Sequence, residues 1–335
     1  MLKIGIIGAG HLGKIHIKLA LQLTDIFDVV GFYDSDEANA NEVSNLFKIP
    51  SFNDPAELIK SCDCIDIVTP TLSHFKYAIL AIQTGKHVFI EKPITETIEE
   101  AEKLFKEVKN TSLKIQVGHV ERFNPAFQTA LKHINNPLFI ETHRLAQFNP
   151  RGTDVPVVLD LMIHDIDIVL SSVGSTVSKI SASGVSIVSD TSDIANARIE
   201  FENGCVANLT ASRISLKNMR KSRFFQSNAY ISVDFLTKEM EMVQMENVNG
   251  KIGDFDMILE LGEGKPKKKI IFDKPSILET NAILEELRSF GQTILLNARP
   301  IVNLNDGMDA LKVAHQILNQ IAQNNQVMLA QNKLA

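Results

Sequence analysis

Six residues near the start of the chain, Gly8-Ala9-Gly10-His11-Leu12-Gly13, constrain its fold more than any other stretch. An apolar run with strand character, Leu2–Ile7, leads straight into them. A helical stretch follows, and then a second apolar run, Phe27–Tyr33, which ends at Asp34. In that setting each glycine has a physical task. Gly8 permits a tight turn, Gly10 lets main chain approach a pyrophosphate, and Gly13 lets the helix pack close to the strand. The helix N-terminus beyond offers unpaired N–H groups and the positive end of a dipole to an anion. His11 and Leu12 fill the loop between the last two glycines, where they would abut the same ligand. A glycine triplet alone marks only a glycine-rich βα turn. Strand, triplet, helix, strand and acid in that order point to a dinucleotide site.

Asp34 selects among dinucleotides. It follows Gly13 by 21 positions, where a carboxylate accepts hydrogen bonds from a ribose diol. A 2′-phosphate would meet like-charge repulsion there, and Ser35-Asp36-Glu37 supplies no arginine to neutralise it. The expected cofactor is NAD rather than NADP.

The first third of the chain alternates strand-like and helix-like stretches: a helix over Glu37–Phe47, a strand from Cys64, a helix over Phe75–Thr84, a strand over His87–Ile90, a helix over Ile98–Lys109 and a strand ending at Gly118. Such alternation predicts βαβ units, and so a doubly wound parallel sheet covered on both faces. Ligands bind outside the carboxyl ends of such strands. Gly8, Asp34, Thr69, Glu91 and His119 all fall there, so one crevice is expected in an α/β Rossmann domain over 1–119.

After residue 120 the pattern changes. A helical Val157–Val173 is followed by strand-like stretches at Ile180–Val188, Asn196–Phe201, Val206–Ser212, Arg223–Asp234, Glu239–Asn247 and Lys268–Phe272, with Asn203-Gly204 as a hairpin signal. Successive strands without helices predict an α+β domain over 120–335 with a large, mainly antiparallel sheet. Helices over Asn281–Leu296 and Asp306–Asn324 close the chain, the second capped by Asp306, and they are candidates to pack back on the first domain.

The 335 residues suffice for two cores, and the net charge of −6 gives no pull toward nucleic acid or an anionic membrane. No stretch has the roughly 18 apolar residues in succession that a membrane helix needs. A strand opening at residue 2 leaves no room for a signal peptide, and Cys62, Cys64 and Cys205 form neither a disulfide framework nor a zinc set. A reducing cytoplasm is the expected location.

Two constellations carry chemistry. Glu91-Lys92-Pro93 ends a strand abruptly, since proline holds Lys92 extended and donates no ladder hydrogen bond. A lysine there points into the cofactor crevice and can hydrogen-bond a substrate hydroxyl; its bland alternative is a surface lysine. In Asp160-Leu161-Met162-Ile163-His164, positions i and i+4 share a helix face. A free imidazole titrates near neutrality, as a base for an alcohol proton requires, so His164 is a candidate base with Asp160 to orient it. Capping and core hydrogen bonds are the alternative. A metal site is not expected, because the pair lacks a clear third ligand. Thr69-Pro70-Thr71 and His74 fall near the cofactor, though His74 could equally cap the next helix. His119, Arg122 and Asn124 follow the last Rossmann strand and are candidates for substrate, as are Arg144 and Arg151; an interdomain hinge is the rival for the first three.

Together these residues resemble the Gfo/Idh/MocA oxidoreductases nearly end to end, through the glycine loop, Asp34, Thr69-Pro70-Thr71 with His74, Glu91-Lys92-Pro93, Asp160 with His164, and Asp306-Gly307-Met308-Asp309-Ala310-Leu311. The resemblance implies an NAD-dependent dehydrogenase of a sugar or cyclitol secondary alcohol, with Lys92, Asp160 and His164 as the catalytic group. It also implies homodimers or homotetramers formed through the C-terminal sheet. The stretches Gly118–Ala126 and Phe148–Gly152 resemble a subgroup that oxidises the 3-hydroxyl of UDP-N-acetylglucosamine, in which Arg122, Arg144 and Arg151 would meet a diphosphate. A free inositol or monosaccharide dehydrogenase and a non-catalytic NAD-binding regulator stand as alternatives.

Overall fold

The computed structural model describes residues 1–149, 155–248, 257–262 and 264–332. The chain forms two compact units. The first comprises Met1–Phe123 and Thr280–Lys312, and the second Asn124–Glu279 and Val313–Ala335.

In the first unit, β1 (Leu2–Ile7), α1 (His11–Ala20), β2 (Phe27–Tyr33), α2 (Glu37–Phe47), α3 (Pro55–Ser61), β3 (Cys64–Ile67), α4 (His74–Gln83), β4 (His87–Glu91), α5 (Ile98–Val108) and β5 (Ile115–Gly118) follow in order. The strands make one parallel sheet in the order β2-β1-β3-β4-β5. Every residue of β3 and β5 is buried, which requires cover on both faces. Strand order reverses between β1 and β3, so the carboxyl ends of those strands open a crevice for a ligand. Local chemistry places the helices. The Asp36 carboxylate accepts the N–H groups of Ala38 and Asn39 to start α2, and Asp54 with Pro55 starts α3. Thr97 and Glu100 form a capping box on α5.

The second unit opens with α6 (Pro125–Leu131), β6 (Phe139–Leu145) and α7 (Ile163–Val173). Seven strands follow: β7 (Val177–Val185), β8 (Ile194–Phe201), β9 (Val206–Ser212), β10 (Met219–Phe225), β11 (Ala229–Asp234), β12 (Glu239–Asn247) and β13 (Met257–Leu259). With β6 and β14 (Lys268–Asp273) they build a nine-stranded sheet in the order β13-β14-β12-β11-β10-β6-β9-β8-β7. All its pairings are antiparallel except β6 with β9. The α/β domain followed by a mainly antiparallel α+β domain is thus the fold the sequence pattern implies. Alternation along β8 buries Ala195, Ala197, Ile199 and Phe201 and leaves Asn196 and Arg198 outside. On the outer side of the central strands, Phe225 lies against Phe139 and Tyr230 at ring-centroid distances of 5.8 and 5.1 Å.

The chain ends with α8 (Ala282–Leu295) and α9 (Leu304–Asn332). Leu287 and Phe290 of α8 join Ile4, Leu23, Phe27 and Phe89 in one buried cluster of the first unit.

Three local expectations are corrected. Arg223–Asp234 is two strands, because Gln226 turns the chain by donating its N–H to the carbonyl of Ala229. Helix α9 begins two residues before Asp306: Asn303 caps it through the Asn305 N–H, and Asp306 accepts the main-chain N–H of Asn303 at 2.8 Å, the reciprocal half of a capping box. The stretch before α7 is wound as a π-helical turn over Val158–Met162.

The connection between β7 and β8 depends on one buried carboxylate. Asp193 accepts the N–H groups of Ile187 and Val188 at 2.7 Å, that of Ser189 at 3.1 Å, and the Ser189 hydroxyl at 2.6 Å. Burial alone would push its pKa up, but these donors more than offset that and hold the carboxyl well below the usual carboxylate range. A depressed folded pKa gives stability that is complete above the unfolded value, about 3.9, and is lost as pH falls toward the folded one. Asp193→Ala is therefore expected to destabilise its unit by about 2–3 kcal/mol at pH 7. The difference from the parent protein should narrow below about pH 4. Thermal denaturation at pH 7 and pH 3 checks this; a gap that does not narrow in acid contradicts it.

Candidate active site

The glycine loop is shaped by contacts that leave no room for side chains at two of its positions. Gly8 has φ of +97°, and a Cβ there would lie 2.7 Å from the carbonyl oxygen of Val68. A Cβ on Gly13 would lie 2.1 Å from the Gly8 carbonyl oxygen. Both glycines therefore bring α1 and the Val68–Thr69 peptide against the loop. Gly10 differs, since a Cβ there would meet nothing within 4 Å. The space in front of it is open. Gly10 is also the N-cap of α1, with no side chain to occupy the cap and no acid in the first turn, so the N–H groups there remain available to an anion.

Asp34 is held beside this loop. Its carboxylate accepts the Ala9 N–H at 2.7 Å, the Asp36 N–H at 2.9 Å and the Asn39 side-chain amide at 3.2 Å. Asn39 also donates to the Ala9 carbonyl at 3.1 Å, so it ties the acid to the loop. Sequence reasoning passed over Asn39; its one signal was a position two residues into a helix that starts just past the acid. Nearby, the Thr69 hydroxyl is buried without a hydrogen-bond partner, an orphan polar atom beside Gly8. Open space at Gly10, a bare helix N-terminus, a positioned diol acceptor and an unsatisfied hydroxyl fit a bound dinucleotide. Gly8, Gly10, Gly13, Asp34 and Thr69 would hold it, with His11, Leu12, Pro70 and Thr71 at the rim; His11 and Pro70 are exposed, and Leu12 and Thr71 half-buried.

Glu91, Lys92 and His74 form a second layer at the end of β4. Glu91 is 8% exposed and accepts the Lys92 N–H at 3.1 Å. The Lys92–Pro93 peptide is cis. His74 is 1% exposed, with Nδ1 2.8 Å from the Pro93 carbonyl and Nε2 2.8 Å from that of Thr69. Burial outweighs those two carbonyls and keeps its pKa below the ordinary value. Glu91 and His74 face inward and act as supports, which leaves the half-buried Lys92 as the side chain of this turn that faces outward.

In the second unit, Asp160 lies in the π turn and His164 in the first turn of α7, both half-buried. A π turn advances about 82° per residue rather than 100°, so i and i+4 still fall near one face. The pair is thus presented together, by a geometry that apolar spacing does not reveal.

Several candidate substrate residues have partners within the protein. Arg144 is 3% exposed and makes a bidentate pair with Asp165, Nε to Oδ2 at 3.1 Å and Nη2 to Oδ1 at 2.9 Å. Two of its guanidinium nitrogens are thus committed to a buried carboxylate. Asn124 is the N-cap of α6: its Oδ1 accepts the Ala126 N–H at 3.1 Å while Nδ2 donates to the Phe235 carbonyl at 3.0 Å. His119 is 1% exposed, in the turn that follows β5. Arg122 lies 4.0 Å from Asp306, with 14% of its side chain exposed. Arg151 lies outside the described residues.

Among the described residues no cluster of His, Cys, Asp or Glu has the grouping a metal ion needs, and no helix is long and apolar enough to cross a membrane. Comparison with known proteins decides the family. Residues 2–119 match the model of the oxidoreductase family with an NAD-binding Rossmann fold, and residues 138–230 the GFO/IDH/MocA C-terminal domain. UDP-N-acetylglucosamine 3-dehydrogenase of Acidithiobacillus ferrooxidans is 38% identical over 242 residues, 72% of this chain and 76% of that protein.

The chain belongs to the Gfo/Idh/MocA oxidoreductase family. A solved structure of the Acidithiobacillus protein superposes with a TM-score of 0.85 at 30% identity, covering 96% of this chain and 97% of that one. A scyllo-inositol 2-dehydrogenase (NAD(+)) of Bacillus subtilis is more distant, 29% identical over 63% of this chain and 67% of its own length. As a Gfo/Idh/MocA oxidoreductase this chain takes NAD.

Proposed function

We propose that this oxidoreductase oxidises the 3-hydroxyl of UDP-N-acetylglucosamine, with Lys92, Asp160 and His164 as its catalytic group. The observation that carries the substrate is the 38% identity to UDP-N-acetylglucosamine 3-dehydrogenase across most of both chains, ahead of the inositol enzymes. When bound, NAD supplies the hydride acceptor. The chain supplies the proton chemistry. As the carbinol hydrogen departs as hydride with the C–H bonding pair, to the acceptor that NAD would supply, the hydroxyl must lose its proton for a ketone to form. His164 takes that proton, and Asp160 orients the imidazole and stabilises its charged form. The Lys92 ammonium donates to the reacting oxygen and stabilises the negative charge that builds there. Asp34, followed by acids and no arginine, disfavours a 2′-phosphate and makes NAD the working cofactor.

The outward aromatic group of Phe139, Phe225 and Tyr230 on the nine-stranded sheet supports self-association through that face. The test is NADH formation at 340 nm with UDP-N-acetylglucosamine, free N-acetylglucosamine, myo-inositol and glucose, run with NAD and with NADP, on protein whose mass in solution is measured alongside. Turnover confined to the UDP-sugar with NAD, by a species larger than 37.2 kDa, is expected. Turnover of myo-inositol instead would favour the free-polyol reading, and tight NAD binding with no turnover the non-catalytic one.

A further inference from the structure

Directly beneath the lysine turn lies a buried set of charges. His16, on the inner face of α1, is wholly buried, as is Asp66 of β3. Its Nδ1 lies 2.9 Å from Asp66 Oδ2 in a hydrogen bond, and its Nε2 lies 3.4 Å from Glu91 Oε1, within reach of charge attraction but without hydrogen-bond geometry. The other Glu91 oxygen accepts the Lys92 N–H. The second Asp66 oxygen has no hydrogen-bond partner, so His16 is the group that compensates its burial. Two further features hold the set in place. The imidazole meets the Phe89 ring edge-on at 5.8 Å, and a Cβ at Gly118 would lie 2.8 Å from Glu91 Oε1, so only glycine leaves Glu91 its seat.

Resting on the reading of Lys92 as a catalytic residue, we propose that His16 is a positioning residue for Lys92, which it holds through Glu91 while Asp66 anchors its far side. Burying three ionisable groups is costly unless each is paired, and here each has a matching neighbour. Burial lowers the His16 pKa, but the two carboxylates more than offset this and hold it well above its ordinary value. The imidazolium Nδ1–H donates to Asp66, while the ring's charge attracts Glu91 across 3.4 Å at Nε2. Burial likewise raises Glu91, while His16 and Lys92 bring it below its usual range, so the carboxylate that holds the Lys92 main chain stays charged. The same imidazole sits three residues past Gly13 on the helix that leads from the glycine loop, so one side chain ties the cofactor helix to the lysine turn.

Isosteres separate positioning from simple packing. The amide nitrogen of asparagine falls near the place of Nδ1, and that of glutamine near Nε2. His16→Asn keeps the contact to Asp66 and releases Glu91; His16→Gln does the reverse. The expected result is a crossed pattern. His16→Asn should have the higher melting temperature of the two yet lose about tenfold or more in kcat, with the calorimetric Kd for NAD within about threefold of the parent. His16→Gln should melt lower, its Asp66 unpaired, yet keep the higher kcat. A merely structural histidine would rank both variants in the same order by both measurements, and that outcome overturns the proposal. If His16→Gln does not fold, Glu91→Gln carries the test, since it keeps an acceptor for the Lys92 N–H but loses the attraction to His16. A kcat equal to the parent's would overturn the proposal there too. Lys92→Ala run in parallel keeps the two ideas apart. If it retains turnover, the reading of Lys92 itself fails; if it is inactive while His16→Asn and Glu91→Gln work normally, only the positioning role fails.

Discussion

Lys92→Ala should lower kcat by about a thousandfold, roughly 4 kcal/mol of transition-state stabilisation, while NAD binds within about threefold of its normal Kd. The contacts described around Lys92 fix its main chain. Glu91 takes its N–H, His74 lies against the next carbonyl, and the strand behind it is buried from Val88 to Glu91. Removing the side chain beyond Cβ therefore leaves the turn intact and withdraws one cation from the reacting oxygen. Melting temperature should fall by far less than activity, because Lys92 is half-buried and Glu91 and His74 hold the turn. His164→Ala should lose turnover by a similar factor, and added imidazole should restore part of it, as expected when the missing group is a base. Steady-state kinetics with calorimetric NAD titration measures both variants. Turnover within threefold of the parent in Lys92→Ala would remove the lysine from the mechanism.

What could be read from the chain before folding was whatever its chemistry expresses locally. The glycine loop is legible because each requirement acts within a few residues: the positive φ of Gly8, the close approach at Gly13 and the open front of Gly10 lie in one turn. Helix α2 spans the expected Glu37–Phe47, and Asp36, which caps it, immediately precedes it. Contacts between distant residues leave no such trace. His16 meets Asp66 across 50 positions, and Arg144 meets Asp165 across 21, so neither partner marks the other in the sequence. Arg144 read as a substrate arginine for that reason: a basic residue in an alternating strand looks the same whether it faces a ligand or a buried carboxylate. Asn124 carried an ambiguous signal of another kind, since Asn-Pro starts a helix as readily as it lines a site, and here it caps α6. The π turn over Val158–Met162 is silent because the apolar positions around it suit either winding.

The glycines of the loop make the second large prediction, and their value lies in a contrast. Gly13→Ala should both destabilise the first unit and abolish measurable NAD binding. Its methyl would sit 2.1 Å from the Gly8 carbonyl oxygen and 2.8 Å from the carbon, which are main-chain atoms that no side-chain rotation can move aside. Helix α1 must then shift outward, at about 1–3 kcal/mol for overpacking, which exceeds the gain of up to about 1 kcal/mol from replacing glycine in a helix. The shift would carry the first-turn N–H groups away from the phosphates and His16 away from Asp66. Gly10→Ala should behave oppositely in the absence of cofactor. Gly10 has φ of −65°, which alanine adopts readily, and its new methyl would touch no protein atom. Its melting temperature should match the parent's, yet NAD affinity should fall roughly 10- to 100-fold, about 1.4–2.7 kcal/mol, because the methyl occupies the space reserved for the pyrophosphate. Differential scanning calorimetry with and without saturating NAD measures both effects. The parent should gain several degrees on binding, Gly10→Ala little, and Gly13→Ala should start lower and gain nothing. If Gly10→Ala bound NAD as tightly as the parent, the pyrophosphate could not lie against this face of the loop.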